Sequence, residues 1–133
     1  MDEVGIRARF DQYLTALAAR GRGESDDLHA LLEYYGVPLV VGTDAAARAL
    51  TTREDVIGFA RQQVDGMRAT DYDHTETIES EVTVLNLTSV LYRAEFARQR
   101  ANGREIGRLG VTYLITDGSE GLRISAVPFT HRD

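Results

Sequence analysis

Residues 90–115, VLYRAEFARQRANGREIGRLGVTYLI, decide the fold because apolar and polar side chains alternate along much of their length. Apolar residues occupy every second position from Val90 to Phe96, and again from Leu109 to Ile115. Between these two runs stands Asn102-Gly103, the dipeptide that favours a tight type I′ hairpin turn. The stretch therefore predicts two long antiparallel strands joined at this turn.

The same alternation continues on both sides of this hairpin. Upstream, apolar and polar residues alternate between Ile78 and Val84, and Asn86-Leu87-Thr88 predicts the bend that follows. Downstream, Asp117–Gly121 predicts a second hairpin loop and Leu122–His131 a last strand. Strands of roughly ten residues are longer than the usual ~5–6, and consecutive long hairpins twist strongly. We therefore expect a four-strand meander that forms a curved sheet.

The first half of the chain predicts three helices and two short strands. The first helix has an apolar stripe at helical spacing, the second begins at a good N-cap residue, and the third begins with the capping box Thr51-Thr52-Arg53-Glu54. The third helix should bury Phe59 in the middle of its apolar stripe. The predicted helices run from about Asp2 to Arg20, Ser25 to Tyr35 and Thr51 to Arg68, and the strands cover Pro38–Val41 and Ala45–Leu50.

These elements predict an α+β fold in one domain that spans residues 1–133. In this fold a curved antiparallel sheet wraps around three helices of the N-terminal half and forms a cone with an internal pocket. The length of 133 residues suits a single domain with a core of its own.

Composition excludes several classes of function. The chain has no cysteine, and all 15 of its basic residues are arginine, so thiol and lysine chemistry are absent. A net charge of −6 argues against a nucleic-acid partner. The first residues lack the basic start and apolar run that are typical of a signal peptide, and no apolar stretch approaches membrane-spanning length. We therefore expect a cytoplasmic protein that does not bind membranes.

Few side chains are candidates for catalysis or ligand binding. Tyr13 lies on the apolar stripe of the first helix, either as a core residue or as a hydrogen-bond donor in the cone. His74 and Glu76 share a strand face, and so do Arg93 and Glu95; each pair is either an exposed strand feature or part of a pocket. The three histidines have no spacing typical of a metal site, and we expect no metal and no cofactor.

Arginines are concentrated around the Asn102-Gly103 turn. Such a hairpin tip is either simply solvated, which we favour, or a binding site for an anion or an acidic partner. The residues are Arg98, Arg100, Arg104 and Arg108.

The order of these elements resembles the nuclear transport factor 2-like superfamily, which has a cystatin-like α+β fold. The resemblance rests on Phe10–Leu17, Asp27–Leu32, the helix Thr51–Met67 and the meander. This superfamily includes ketosteroid isomerase and the SnoaL-like polyketide cyclases. The segments Tyr35–Val41 and Gly107–Gly118 are also similar to an actinobacterial group in the superfamily that is known as a domain of unknown function.

The resemblance implies roles at three positions. Tyr13 occupies the place of the isomerase tyrosine that hydrogen-bonds the substrate oxyanion. The general base would fall near Leu39–Val41, where this chain has no carboxylate, and the nearest acid is Asp44. Thr112 corresponds roughly to the protonated aspartate of the oxyanion hole. Because the isomerase reaction needs a carboxylate base, the resemblance does not by itself predict isomerase activity for this chain.

Two functions remain open from the sequence. The first is a small-molecule-binding SnoaL-like domain that holds an apolar ligand in the cone, with the contacts Tyr13, Val41, Phe59, Thr112 and Ala126. The alternative is a cofactor-free isomerase, cyclase or dehydratase that acts on a ketone- or polyketide-like substrate by proton transfer. In that case Tyr13 would polarise an oxygen, and the candidates for the base are Asp44, His74 and Glu95. A carboxylate or imidazole near the Tyr13 hydroxyl would distinguish the two.

We also expect a homodimer that forms through the sheet. The strand Leu109–Ile115 carries apolar residues on both faces. One face can line the cone, so the other would expose an apolar patch, which usually marks an interface.

Overall fold

The computed structural model describes residues 2–129. These described residues form two α-helices, one short 3₁₀ helix and six strands. Their bounds are α1 Glu3–Gly21, the 3₁₀ helix Leu28–Glu33, β1 Tyr35–Gly42, β2 Ala47–Leu50, α2 Arg53–Arg68, β3 Tyr72–Asn86, β4 Ser89–Arg100, β5 Glu105–Gly118 and β6 Gly121–Pro128. The α+β fold with its helices in the N-terminal half is confirmed. The predicted last strand extends to His131, which lies outside the described residues.

The six strands form one sheet in the order β2-β1-β6-β5-β4-β3. The predicted meander β3–β6 is antiparallel throughout, as is the pair β1–β2. However, β1 runs parallel to β6, with Val40 opposite Ala126, so the sheet is mixed and not purely antiparallel. The β5–β6 hairpin leaves one side of β6 unpaired, and β1, which comes from the far end of the sequence, supplies the missing backbone partners.

Irregularities in β3 shape the sheet. The pairing of β3 with β4 shifts register between Tyr72 and His74, between Thr77 and Glu79, and again near Asn86. Bulges bend a strand and increase its twist, so the long outer strand curves around the helices. Because of the shift after Thr77, the alternation predicted between Ile78 and Val84 does not continue unbroken from the strand face that His74 and Glu76 share.

The β4–β5 hairpin forms where Asn102-Gly103 predicts it, but its turn is of another type. A type I′ turn needs positive φ at both residues, and among the described residues only Gly103 of this pair has it, at 85°. The Gly103 amide donates to the Arg100 carbonyl, and the Arg100 amide donates to the Arg104 carbonyl. The connection is therefore a longer loop, in which glycine supplies the one left-handed residue.

The starts of both α-helices follow the capping rules, although the capping residue of α2 lies one position later than predicted. The predicted second helix is of a different type. The Asp2 side chain accepts from the Gly5 amide at the start of α1. Thr52, and not Thr51, caps α2 by accepting from the Asp55 amide. The predicted second helix is a six-residue 3₁₀ helix that begins at Leu28 and not at Ser25. The Arg68 guanidinium binds the Ser25 carbonyl, which fixes the segment before Leu28 in a non-helical form.

Aromatic rings fill the space between α1 and the concave, inner face of the sheet. Phe10, which is 1% exposed, stacks on Tyr92 with 4.1 Å between ring centroids. It also meets Tyr113 and Tyr13 edge to face, at 4.7 and 5.2 Å. Edge-to-face and offset pairs of this kind are the favoured arrangements of aromatic rings. They hold α1 against β4 and β5. Within the described part of the chain, no helix is long and apolar enough to cross a membrane.

Phe59→Ala tests the packing of α2. Phe59 is 7% exposed, and its ring meets Tyr35 edge to face at 5.8 Å. Truncating a buried phenylalanine typically lowers the free energy of unfolding by about 3–5 kcal/mol. We expect a loss in this range in urea denaturation, whereas Arg61→Ala on the exposed side of the same helix should change little. Equal denaturation midpoints for the two variants would contradict the packing described here.

Candidate functional site

A small cavity lies between α1, α2 and the inner face of the sheet. Its volume is about 20 Å³, which is room for about one water molecule. Its buried floor consists of Tyr13, Leu17, Tyr35, Phe59, Met67, Phe96, Tyr113 and Val127. Its half-buried rim consists of Leu14, Gln63, Thr75, Arg98, Leu109 and Phe129.

The cone is much fuller than the sequence predicts. We expected three short helices to leave a concavity against long, twisted strands. Instead, the rings packed around Phe10 occupy most of that space. Side-chain volume, and not helix length, therefore determines how much of the cone stays empty.

Two tyrosines supply the polar group on the floor of the cavity. The hydroxyls of Tyr13 and Tyr35 are 2.5 Å apart, and both rings are buried. Each hydroxyl carries one proton, and the bond between them uses only one of the two. The pair therefore retains one O–H that can donate to an acceptor in the cavity. Helix α1 and strand β1 each contribute one member.

Both hydroxyls stay neutral. Burial raises the pKa of Tyr13 well above its usual value, and the neighbouring Tyr35 raises it further. Burial likewise raises the pKa of Tyr35. A phenol with a raised pKa holds its proton at physiological pH, so this pair can donate a hydrogen bond but cannot act as a base.

Arg98 and Gln63 form the polar part of the rim. One Nη of Arg98 donates to Oε1 of Gln63 at 3.2 Å, which links β4 to α2. The prediction that Arg98 belongs to the solvated hairpin tip is wrong, because its side chain is half-buried at the cavity. The period of two that runs from Tyr92 through Phe96 also includes Arg98, so the alternation already indicated that its side chain lies on the inner face.

The predicted ligand contacts are only partly brought together. Tyr13 and Phe59 line the cavity, whereas Val41 does not line it and is buried on β1 opposite the lining residue Val127. Thr112 does not reach it, because its neighbours Val111 and Tyr113 face the core and Thr112 therefore faces the opposite side. Ala126 also lies on that outer face, opposite Leu114 and Val40.

None of the three predicted bases lines the cavity. Asp44 is exposed in the loop between β1 and β2. His74 is exposed on β3, where its Nδ1 lies 2.8 Å from the Asp73 carboxylate. Glu95 lies on the outer face, in an open groove that it shares with Arg93. Among residues 2–129, no aspartate, glutamate or histidine lines the cavity, and no group of three or more such residues could hold a metal ion.

The architecture defines the class of this protein. A mixed six-stranded sheet wrapped around N-terminal helices is the cystatin-like α+β fold of NTF2-like proteins. The chain belongs to the family described as NTF2-like protein (DUF6841), whose profile matches residues 2–131. No curated protein sequence matches this chain.

Solved structures share the fold at low sequence identity. An NTF2-like protein with a cystatin-like fold from Novosphingobium aromaticivorans has 14% identity and a TM-score of 0.70, over 96% of this chain and 80% of that one. A domain of unknown function with a cystatin-like fold from Nostoc punctiforme has 20% identity and a TM-score of 0.69, over 99% of this chain and 78% of that one. An NTF2-like protein of unknown function from Shewanella oneidensis has 13% identity and a TM-score of 0.65, over 94% of this chain and 98% of that one. These similarities show the fold alone.

The raised tyrosine pKa values predict a loss of stability in alkali. Tyrosines in the unfolded chain ionise near pH 10, whereas burial raises the pKa of Tyr13, Tyr35 and Tyr113 in the folded protein. Their contribution to stability is therefore complete below about pH 10 and is lost as the pH rises towards the folded values. We expect the urea midpoint to fall as the pH rises above about 10, and less steeply in the variant Tyr13→Phe/Tyr35→Phe. Equal slopes for the two proteins would be the contrary result.

Proposed function

We propose that this chain is a non-catalytic binding domain for a small, mainly apolar molecule that presents one acceptor oxygen to the Tyr13–Tyr35 pair. The observation that carries the proposal is a pair of buried, neutral hydroxyls with one proton to donate, on the wall of an aromatic cavity. Few polar groups in an apolar, concave site are typical of small-molecule binding.

The size of the cavity limits how the ligand binds. About 20 Å³ takes the polar end of a molecule but not its body. The rim side chains Gln63 and Arg98 are long and half-buried, so they can move without disturbing the buried floor. The body of the ligand then lies over the apolar part of the rim, which Leu14, Leu109 and Phe129 provide.

The alternative function, proton transfer by an isomerase, cyclase or dehydratase, lacks its base. The tyrosine pair could polarise a carbonyl oxygen, but abstraction of a proton also needs a group that accepts it within hydrogen-bond reach. The candidates Asp44, His74 and Glu95 lie elsewhere. This arrangement favours binding over turnover.

Removal of both hydroxyls tests the proposal. We expect Tyr13→Phe/Tyr35→Phe to weaken the binding of a ligand such as acetophenone or benzoate about two- to tenfold, since one hydrogen bond is worth ~0.5–1.5 kcal/mol. The double variant is needed because either hydroxyl alone still carries a proton. Ligand-observed NMR titration measures the dissociation constants.

Tyr34→Phe is the matched control for this experiment. Its ring lies 5.7 Å from that of Tyr13, but Tyr34 does not line the cavity. We expect it to leave the affinity unchanged. If the double variant binds as tightly as the unmodified protein, the role of the hydroxyl pair is wrong. Rapid enolisation of a ketone by the unmodified protein would overturn the non-catalytic assignment.

We further propose that the domain forms a homodimer through the outer face of its sheet. Strand register places four apolar residues in one row across neighbouring strands, and Val40, at one end of the row, is 45% exposed. The row is Val40, Ala126, Leu114 and Leu91. An apolar strip that crosses a sheet face is suited to pack against the same strip of a second copy.

A charge placed in this row should separate the copies. We expect light scattering at micromolar concentration to give twice the chain mass of 14.7 kDa, and Leu114→Asp to give a single chain. Leu87→Asp is the control, because Leu87 is 93% exposed at the β3–β4 bend, away from the row. A single-chain mass for the unmodified protein would contradict the proposal.

A further inference from the structure

Arg98 is a half-buried cation without an acidic partner among the described residues. Its guanidinium has five N–H donors, and the hydrogen bond it makes to another side chain there is the one to Gln63. No ion pair in residues 2–129 includes it. The cavity that it borders also has no acidic residue in its described lining.

A purely structural role does not account for this charge. The link between β4 and α2 needs only one hydrogen-bond donor at this position, which an uncharged amide side chain also provides. Removing a charge from water is unfavourable unless it is paired and hydrogen-bonded. A positive charge held beside an apolar cavity therefore indicates a negatively charged partner that does not belong to the described part of the chain.

The field of this charge reaches the floor of the cavity. Burial raises the pKa of Tyr13, Tyr35 and Tyr113, and the positive charge of Arg98 acts in the opposite direction on all three. The same potential that favours a phenolate favours any negative group at this place. Because little water fits inside the cavity, screening is weak, and the preference is stronger than at the surface.

We propose that the site selects small monocarboxylates with an apolar body, and that Arg98 is the residue that determines this selectivity. The proposal rests on the proposed function, since it assigns the chemical class of the same ligand. Arg98 and the hydroxyl pair border one water-sized space, so a carboxylate head that fills it contacts both. The amide nitrogen of Gln63, whose oxygen already accepts from Arg98, is a further donor at the rim.

Benzoate and benzamide test the proposal, because they share shape and aromatic body and differ in charge. We expect the unmodified protein to bind benzoate at least about tenfold more tightly at neutral pH and low salt, as expected for a charge-assisted hydrogen bond. We expect Arg98→Gln to remove this preference and Arg98→Lys to retain part of it. Arg104→Gln, at the exposed hairpin tip, makes the same change in net charge and should leave the preference intact.

The outcomes distinguish the two proposals. Equal affinities of the unmodified protein for benzoate and benzamide would overturn the selectivity and leave the binding function in place. If neither benzoate nor benzamide binds, both proposals are contradicted. A preference for benzoate that survives Arg98→Gln would overturn the role of Arg98. The comparison of the two probes on the unmodified protein needs no variant, so the proposal can be refuted even if Arg98→Gln does not fold.

Discussion

The packing of Phe10 against the inner face of the sheet is the contact on which the rest of the structure depends. Its ring stacks on Tyr92 and meets Tyr113 edge to face, so a single side chain of α1 engages both β4 and β5. Helix α1 is thereby held where the next turn brings Tyr13 within 2.5 Å of the Tyr35 hydroxyl. The chemistry of the cavity thus follows from the aromatic packing around it.

This packing also decides which chemistry is accessible. Large rings fill the cone and leave water-sized space, and in such surroundings a charged group is costly unless it is paired. Tyrosine is suited to this setting, because its ring contributes to the core while its hydroxyl remains a neutral donor. The acidic residues that a proton-transfer enzyme would need lie at the surface or on the outer face, where they are hydrated. A filled cone and a missing base are therefore two results of the same packing.

The sequence correctly predicted the structural elements that depend on local patterns of residues. It missed the features that depend on contacts between residues distant in the sequence. Alternation and turn residues gave the meander, and stripe and cap residues gave both α-helices, because these signals lie within one element. The parallel pairing of β1 with β6 joins residues 86 to 89 positions apart, and no local pattern indicates it. The prediction that Thr112 and Ala126 line the pocket rests for Thr112 on family analogy, and strand parity places both residues on the outer face. The position of Arg98 follows from the alternation of its own strand and not from its closeness in sequence to the turn.

Two arginines of β4 show that the side of the sheet, and not the residue type, sets the role of a charge. Arg93 faces outwards into an open groove that it shares with Glu79, Glu81 and Glu95. Negative charges of the chain itself therefore surround it, in contact with solvent. Arg98 stands five positions further along the same strand, and an odd spacing reverses the face. On the inner face it donates a hydrogen bond to the amide oxygen of Gln63 and borders the cavity between the helices and the sheet. If the strand shifted by one residue, this cation would turn towards solvent and the cavity would lose the positive charge at its rim.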